Sequence, residues 1–269
     1  SEGTLGVITE ATLKLAPLPR EEDVFLFAVP DLASVLELFR IARAAPITLQ
    51  AFEFFTDACL ARVTRNLGVR PPFTDSASHY VLVEIERPTD ASITENWLEE
   101  VLGSGFVIDG TMAQSTREAE EFWTLREGIS ESLASTGLPH KNDVALPIAS
   151  LHGFCSELAE FFGTHYAGWE ICNFGHIGDG NLHINIMKPD DLPVAEFRAR
   201  TKAVDRDLFG IVRKYGGSIS AEHGIGLLKK EFLGFSRSPV EIAYFRAMKA
   251  VFDPAGVLNP GKIWDASPE

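Results

Sequence analysis

One order of elements occurs twice in this chain, and it constrains the fold more than any single motif. After an opening extended stretch from Thr4 to Leu15, Val24 to Val29 reads as a strand. Asp31 then caps a helix carrying Val35, Leu36, Leu38, Phe39 and Ala42. Ile47 to Phe54 is a second strand, followed by a short helix to Asn66 and a Pro- and Ser-rich loop from Gly68 to Ser78. Tyr80 to Glu86 alternates as a strand, Ile93 to Leu102 is helical, and Phe106 to Thr111 closes the set as a strand. With the short helix set aside, this is β-α-β-β-α-β, the split ferredoxin-like order.

A long amphipathic helix from Ser115 to Ala134 follows, and the order recurs. Lys141 to Leu146 is a strand, and Pro147 opens a helix at its first turn. Trp169 to Phe174 and Leu182 to Met187 are strands joined by a glycine-rich turn, Leu192 to Tyr215 is helical, and Gly217 to Glu222 is the last strand. Two helical segments, Leu227 to Phe232 and Pro239 to Phe252, precede a Pro- and Gly-rich end. The predicted class is α+β: two ferredoxin-like halves, 21–114 and 138–225, form an antiparallel sheet with helices on one face. They sit in a body of 21–235, between an opening segment 1–20 and a helical tail 236–269.

Charge narrows the function classes. Against 38 Asp plus Glu the chain has 24 Lys plus Arg, a net charge of −14. Such a chain lacks the basic stripe that a nucleic-acid backbone requires and is repelled by anionic membrane surfaces. No apolar run approaches the roughly 18 residues of a membrane span. Cys59, Cys155 and Cys172 are odd in number without CxxC spacing, which reads as buried apolar residues in a reducing, cytoplasmic compartment. The chain opens at Ser1 directly into an extended segment, as expected for part of a longer protein.

Alternation along the strands selects the chemistry-bearing face. With Leu182, Ile184 and Ile186 toward the helices, His183 and Asn185 face away. By the same rule Lys141 and Asp143 face away, and so do Ser218, Ser220 and Glu222. The densest segment runs from Asn173 to Asn185, where Gly175, Gly178 and Gly180 permit a tight turn that brings His176 beside His183. Cross-strand Cβ atoms lie about 5 Å apart, a separation at which two imidazoles share one cation. Glu222 completes a His-His-carboxylate set of the kind that binds zinc or iron with positions left open. Taken singly, each histidine is more often a hydrogen-bonded structural residue; the pair with its glycines and acid favours a site. Glu222 and His223 serve one site only if the chain turns at Gly224 and Gly226, and His223 is then a candidate general base. In the long helix Arg126 and Ser130 share a face with Trp123, and Arg126 suits bidentate capture of a carboxylate. Alone, Arg126 and Lys141 are no better than other surface cations.

These residues resemble a known family. Phe174 to Asn185, Gly217 to Gly226 and Asp253 to Lys262 are similar to three motifs of the FAD-linked 2-hydroxyacid dehydrogenases of the vanillyl-alcohol oxidase superfamily. That group includes D-lactate and D-2-hydroxyglutarate dehydrogenases and the glycolate oxidase D subunit. Ser1 to Thr9 resembles the last motif of the family's FAD-binding domain. The resemblance implies His176, His183 and Glu222 as ligands of a divalent metal, zinc ahead of iron or manganese, and His223 as the base. It implies Arg126, Lys141 and Asn185 as substrate-holding residues, with Ser130 standing where some members have threonine. It further implies Glu2, Gly3, Thr4, Gly6 and Asn259 as cofactor-binding positions.

The function so implied is the substrate-binding half of a flavin-dependent 2-hydroxyacid dehydrogenase, passing hydride from Cα to FAD. Its partners are a small 2-hydroxy acid, an FAD-binding domain preceding Ser1, an electron acceptor at which the protein can meet a membrane peripherally, and a second copy in a homodimer. The segment 1–20 is then a remnant that binds no FAD tightly, leaving the chain inactive alone. The alternatives are a metal-dependent hydrolase, or a non-catalytic module that binds a small effector.

Overall fold

The computed structural model describes residues 1–18 and 21–265. In the first half β1 (Glu22–Val29), α1 (Leu32–Ala44), β2 (Thr48–Thr56), α2 (Asp57–Leu67), β3 (His79–Glu86), α3 (Ala91–Gly103) and β4 (Asp109–Met112) follow the expected order. Asp31 caps α1, its carboxylate accepting from the Ser34 amide at 2.8 Å. Helices α4 (Thr116–Glu127) and α5 (Ile129–Thr136) lead to β5 (Pro139–Ala145), α6 (Leu151–His165), β6 (Ile171–His176), β7 (Asn181–Met187) and α7 (Val194–Lys214). A last helix, α8 (Pro239–Phe252), starts with a Ser238–Glu241 capping box and buries none of its residues.

The seven strands of the described residues form one antiparallel sheet in the order β4-β1-β3-β2-β6-β7-β5. The halves meet edge to edge where β2 pairs with β6, placing Glu53 opposite His176 and Phe55 opposite Phe174. This seam joins a charged residue of the first half to the glycine-rich strand of the second.

On one face of the sheet Phe25, Phe27, Val83, Ile184 and Ile186 pack against α1, α3, α6 and α7 through Leu38, Trp97, Phe154 and Leu208. That is the expected helical layer. The other face, expected to be bare, is bare only in part. Val24, Leu26, Ala28 and Leu82 bury a second core against Leu60 and Val63 of α2, Leu125 of α4, and Ile129 and Leu133 of α5. The cause is local: Val24 to Val29 is apolar at every position, so both faces of β1 need cover. Cys172, Phe174 and Met187 of the second half join this second core, and Arg126 and Ser130, on either side of the α4–α5 junction, line a pocket beside it.

The Thr4–Leu15 stretch, expected to be extended, joins no ladder. Three further expectations change. The long helix divides at Gly128, where a Cβ would meet the Thr124 carbonyl at 2.7 Å and Leu67 of α2 at 3.0 Å. The segment at Leu227 is helical only from Lys230 to Phe235, as a 3-10 turn. Gly217 to Glu222 is not a strand: it makes one bridge to β5, between Ala145 and Ser218, and then turns away. The Ile219 and Ser220 amides go to serine hydroxyls, and those of Ala221 to His223 to a carboxylate described below, instead of to a ladder. The cysteines are free, with Cys59 and Cys172 buried and burial pushing the Cys155 thiol up to about 12. No helix among the described residues is long and apolar enough to cross a membrane.

Candidate metal centre and substrate pocket

The site begins with a backbone requirement. Strand β6 approaches β7 so closely that a Cβ on Gly175 would lie 2.2 Å from the Asn181 carbonyl oxygen. The connecting turn, Ile177–Asp179, ends at Gly180 with φ +67°. His176 and His183 then project from the same face at diagonal, not directly opposed, positions, with ring centroids 5.5 Å apart. Glu222 reaches them from the turn after Ser218. Its Oε1 lies 3.6 Å from His176 Nε2 and accepts a hydrogen bond from Asn181 Nδ2. One donor atom from each of His176, His183 and Glu222 lies within 4.8 Å of the others. Two imidazoles and a carboxylate at this spacing suit a divalent cation of the zinc or iron type.

Two buried acids stand behind the histidines. Glu53, 7% exposed, accepts from His176 through Oε1 at 2.7 Å and from Arg126 through Oε2 at 2.8–3.0 Å. This fixes the His176 ring with Nδ1 toward Glu53 and Nε2 toward Glu222. Asp143, on β5 directly opposite His183, is 2% exposed. Its Oδ2 accepts the amides of Ala221, Glu222 and His223 at 3.1, 2.9 and 3.1 Å. Burial alone raises a carboxyl pKa; these amides and the nearby histidines outweigh it and hold Asp143 below the usual range.

The two candidate ligand histidines titrate apart. Burial pushes His183 down to about 4, whereas the hydrogen bond to Glu53 raises His176 above the ordinary 6.5. In metal-free protein, imidazole NMR is expected to find His183 neutral down to pH near 4 and His176 protonated above pH 6.5. Their effects on stability oppose each other. The His183 contribution is lost as pH falls from its unfolded value toward about 4, and the His176 contribution is lost as pH rises through its folded value.

A pocket of about 250 Å³ is lined by Arg126, Ser130, Lys141, Phe174, His176, His183, Asn185 and His223. Seven residues singled out in the sequence therefore share one cavity, and Glu222 adjoins it. The details revise two expectations. The Nε–Nη2 edge of Arg126 is taken by Glu53, and the guanidinium carbon lies 4.8 Å from the Phe174 ring centroid, so only the Nη1 side is left for a further anion. Among the described residues its Nη1 has no protein partner. Asn185 is buried and donates through Nδ2 to the carbonyls of Cys172 and His183 at 3.3 and 3.2 Å. Lys141 and Ser130 are exposed at the rim. His223 is exposed, its Nδ1 3.8 Å from Asp143 Oδ2 and its ring 6.2 Å from that of His183.

The five positions expected at a cofactor behave differently. Glu2 receives the amides of Ile225 and Gly226 at 2.7 and 2.8 Å, tying the opening segment to the turn that carries His223. Asn259 donates to the Glu2 carbonyl, Gly3 lies beside Asn259, and the Thr4 carbonyl accepts from Lys249 at 2.7 Å. Gly6 is exposed and has no close neighbour.

Sequence reasoning missed Glu53 entirely and assigned Asp143 a face but no task. The signal for Glu53 was present: a lone carboxylate between Phe52 and Phe54 cannot be buried without partners.

Residues 18–263 match the family described as FAD linked oxidases, C-terminal domain. The chain is 42% identical over 268 residues to a D-2-hydroxyglutarate dehydrogenase of Stutzerimonas stutzeri, covering 99% of this chain and 57% of that protein. It is 37% identical over 278 residues to the mitochondrial D-2-hydroxyglutarate dehydrogenase of Rattus norvegicus, covering 99% of this chain and 49% of that one. The chain thus spans about half the length of the curated relatives it matches. Among solved structures, p-cresol methylhydroxylase with substrate bound superimposes with a TM-score of 0.65 at 13% identity, over 94% of this chain and 55% of that one. At that identity the likeness concerns the fold. The fold, the matched span and the relatives agree, and this chain belongs to the C-terminal domain family of the FAD-linked oxidases.

Proposed function

We propose that this chain is the substrate-binding half of a flavin-dependent dehydrogenase of D-2-hydroxy acids, of the D-2-hydroxyglutarate type, working with an FAD-binding domain outside it. The observation that carries the reading is the convergence of Arg126, Lys141, Asn185, His176, His183 and His223 on one small pocket with Glu222 beside it. The donor set fits a divalent cation, zinc first. Held by His176, His183 and Glu222, that ion supplies the Lewis acidity that lowers a bound hydroxyl's pKa, and FAD supplies the hydride acceptor.

This chain's own residues position the acid and move its proton. The Nη1 side of Arg126 and the ammonium of Lys141 hold carboxylates, one deep and one at the rim. Asn185 stiffens the floor, and Ser130 offers a hydroxyl at the edge. His223, with Nδ1 toward Asp143, takes the substrate's hydroxyl proton at Nε2. Glu2, Gly3, Thr4 and Asn259 join the flavin side of the site to the His223 turn; Gly6 belongs to the same opening motif.

The test is a substrate screen of the full-length protein with a dye acceptor, with and without chelator. D-2-hydroxyglutarate turnover that chelation abolishes and one divalent metal restores is the expected result. Ester or amide hydrolysis without flavin would establish the hydrolase instead. This chain alone is expected to carry no stoichiometric flavin absorbance, and His183→Ala is expected to weaken zinc binding by about tenfold or more in calorimetry.

A further inference from the structure

We propose that Asp143 is the positioning residue on which the metal centre is assembled. One carboxylate oxygen shapes the loop that presents Glu222 and His223. The other sets the His183 tautomer, with the proton on Nδ1 and Nε2 open to the ion. The inference rests on the reading of His176, His183 and Glu222 as cation ligands.

The first half of the argument is the fate of the failed eighth strand. After the single bridge to Ala145, the chain presents three consecutive amides, Ala221 to His223, to Asp143 Oδ2. Successive N–H groups converging on one anion form a nest, which fixes the backbone of all three residues. Alternation along a regular strand would send Glu222 and His223 to opposite faces. Wrapped on Asp143, both serve one site. Lys229 reinforces the frame from below, donating to the carbonyls of Asp143 and Ile219 at 3.1 and 2.7 Å.

The second half is an unfilled valence. Asp143 Oδ1 is buried and has no hydrogen-bond partner among the described residues. The nitrogen facing it is His183 Nδ1, at 3.6 Å. A buried carboxylate oxygen is costly without a donor, and only the Nδ1–H tautomer supplies one here. A shift of a few tenths of an ångström closes the bond. The arrangement repeats that of Glu53 and His176, at 2.7 Å, on the neighbouring strand. Each histidine turns Nδ1 to a buried acid and leaves Nε2 for the ion. Carboxylate–histidine pairs of this kind orient metal ligands and raise their basicity.

Asp143→Asn separates this role from simple loop support. The side-chain carbonyl of asparagine keeps an acceptor for the three amides, and their demand for one fixes its orientation. Its NH₂ then faces His183 Nδ1, which must accept, so the imidazole proton moves to Nε2 and blocks the ion. In metal-free full-length protein, zinc titration against a competing chelator is expected to show about 10–100-fold weaker binding in D143N. Nitrogen-15 NMR is expected to find His183 protonated on Nδ1 in the parent and on Nε2 in the variant. Unchanged zinc affinity in a folded D143N, or a parent His183 protonated on Nε2, overturns the proposal. Zinc binding that survives His183→Ala sinks the metal reading instead. The parent tautomer then decides the Asp143 contact alone, and also decides it if D143N does not fold.

Discussion

Glu53→Ala is expected to destabilise the protein by about 3–5 kcal/mol, a cost typical of leaving one member of a buried ion pair unpartnered. Arg126 is 7% exposed and reaches no other carboxylate in the described structure; the Phe174 face beneath it offsets only about 1–2 kcal/mol of a lost ion partner. His176 loses its Nδ1 acceptor in the same step, so metal affinity falls with stability. At about 2–4 °C per kcal/mol for a domain of this size, the melting temperature drops by roughly 6–20 °C. Glu53→Gln, which keeps an acceptor, costs less. The double variant Glu53→Leu with Arg126→Met recovers most of the loss, because the penalty is an uncompensated charge more than a missing attraction. Circular-dichroism melting of the three variants checks this; a Glu53→Ala protein that melts with the parent would show that solvent reaches Arg126.

The ease of reading each part of this molecule follows the distance over which its cause acts. Strands β1 to β3 and β5 to β7, and the cap at Asp31, are legible because alternation and capping are decided within a few residues. The segment from Ser218 to Ala221 alternates equally well and is nonetheless not a strand. The Ile219 and Ser220 amides go to the hydroxyls of Ser236 and Ser218, and those of Ala221, Glu222 and His223 are claimed by Asp143, 78 to 80 residues away; no local pattern records that competition. The second helical layer was visible in the two-sided apolar run of β1, which alternation reasoning passed over. Among site residues, His176, His183, Glu222 and His223 stand in dense glycine-rich segments where spacing alone suggests convergence. Glu53 owes its position to the β2–β6 seam between the halves, and its partners lie 73 and 123 residues along the chain. Register across that seam is written in no single segment. Arg126 lines the pocket with the other candidate residues, but the orientation of its guanidinium depends on Glu53 and was therefore out of reach.

Gly180→Ala should be the most damaging small change in the glycine-rich turn. Gly180 has φ +67°, and a Cβ there would lie 1.9 Å from the Leu146 carbonyl oxygen. That oxygen belongs to backbone, and Leu146 also donates its amide to Gly180 at 2.9 Å, so the neighbour cannot move aside without breaking the contact that closes the turn. The combined strain and clash place the cost above about 4 kcal/mol, read as a large fall in melting temperature or as insoluble protein. Gly178→Ala, two residues earlier, is the internal control: nothing lies within 4 Å of its Cβ position and its φ is not positive, so its melting is expected to stay close to that of the parent. Equal melting of the two variants would contradict this account. The expected difference assigns the glycines separate tasks. Gly175 and Gly180 are required because backbone must approach backbone for β6 to deliver His176 to the face that bears His183. Gly178 is free of that demand, and the sequence spacing of the glycines alone does not distinguish them.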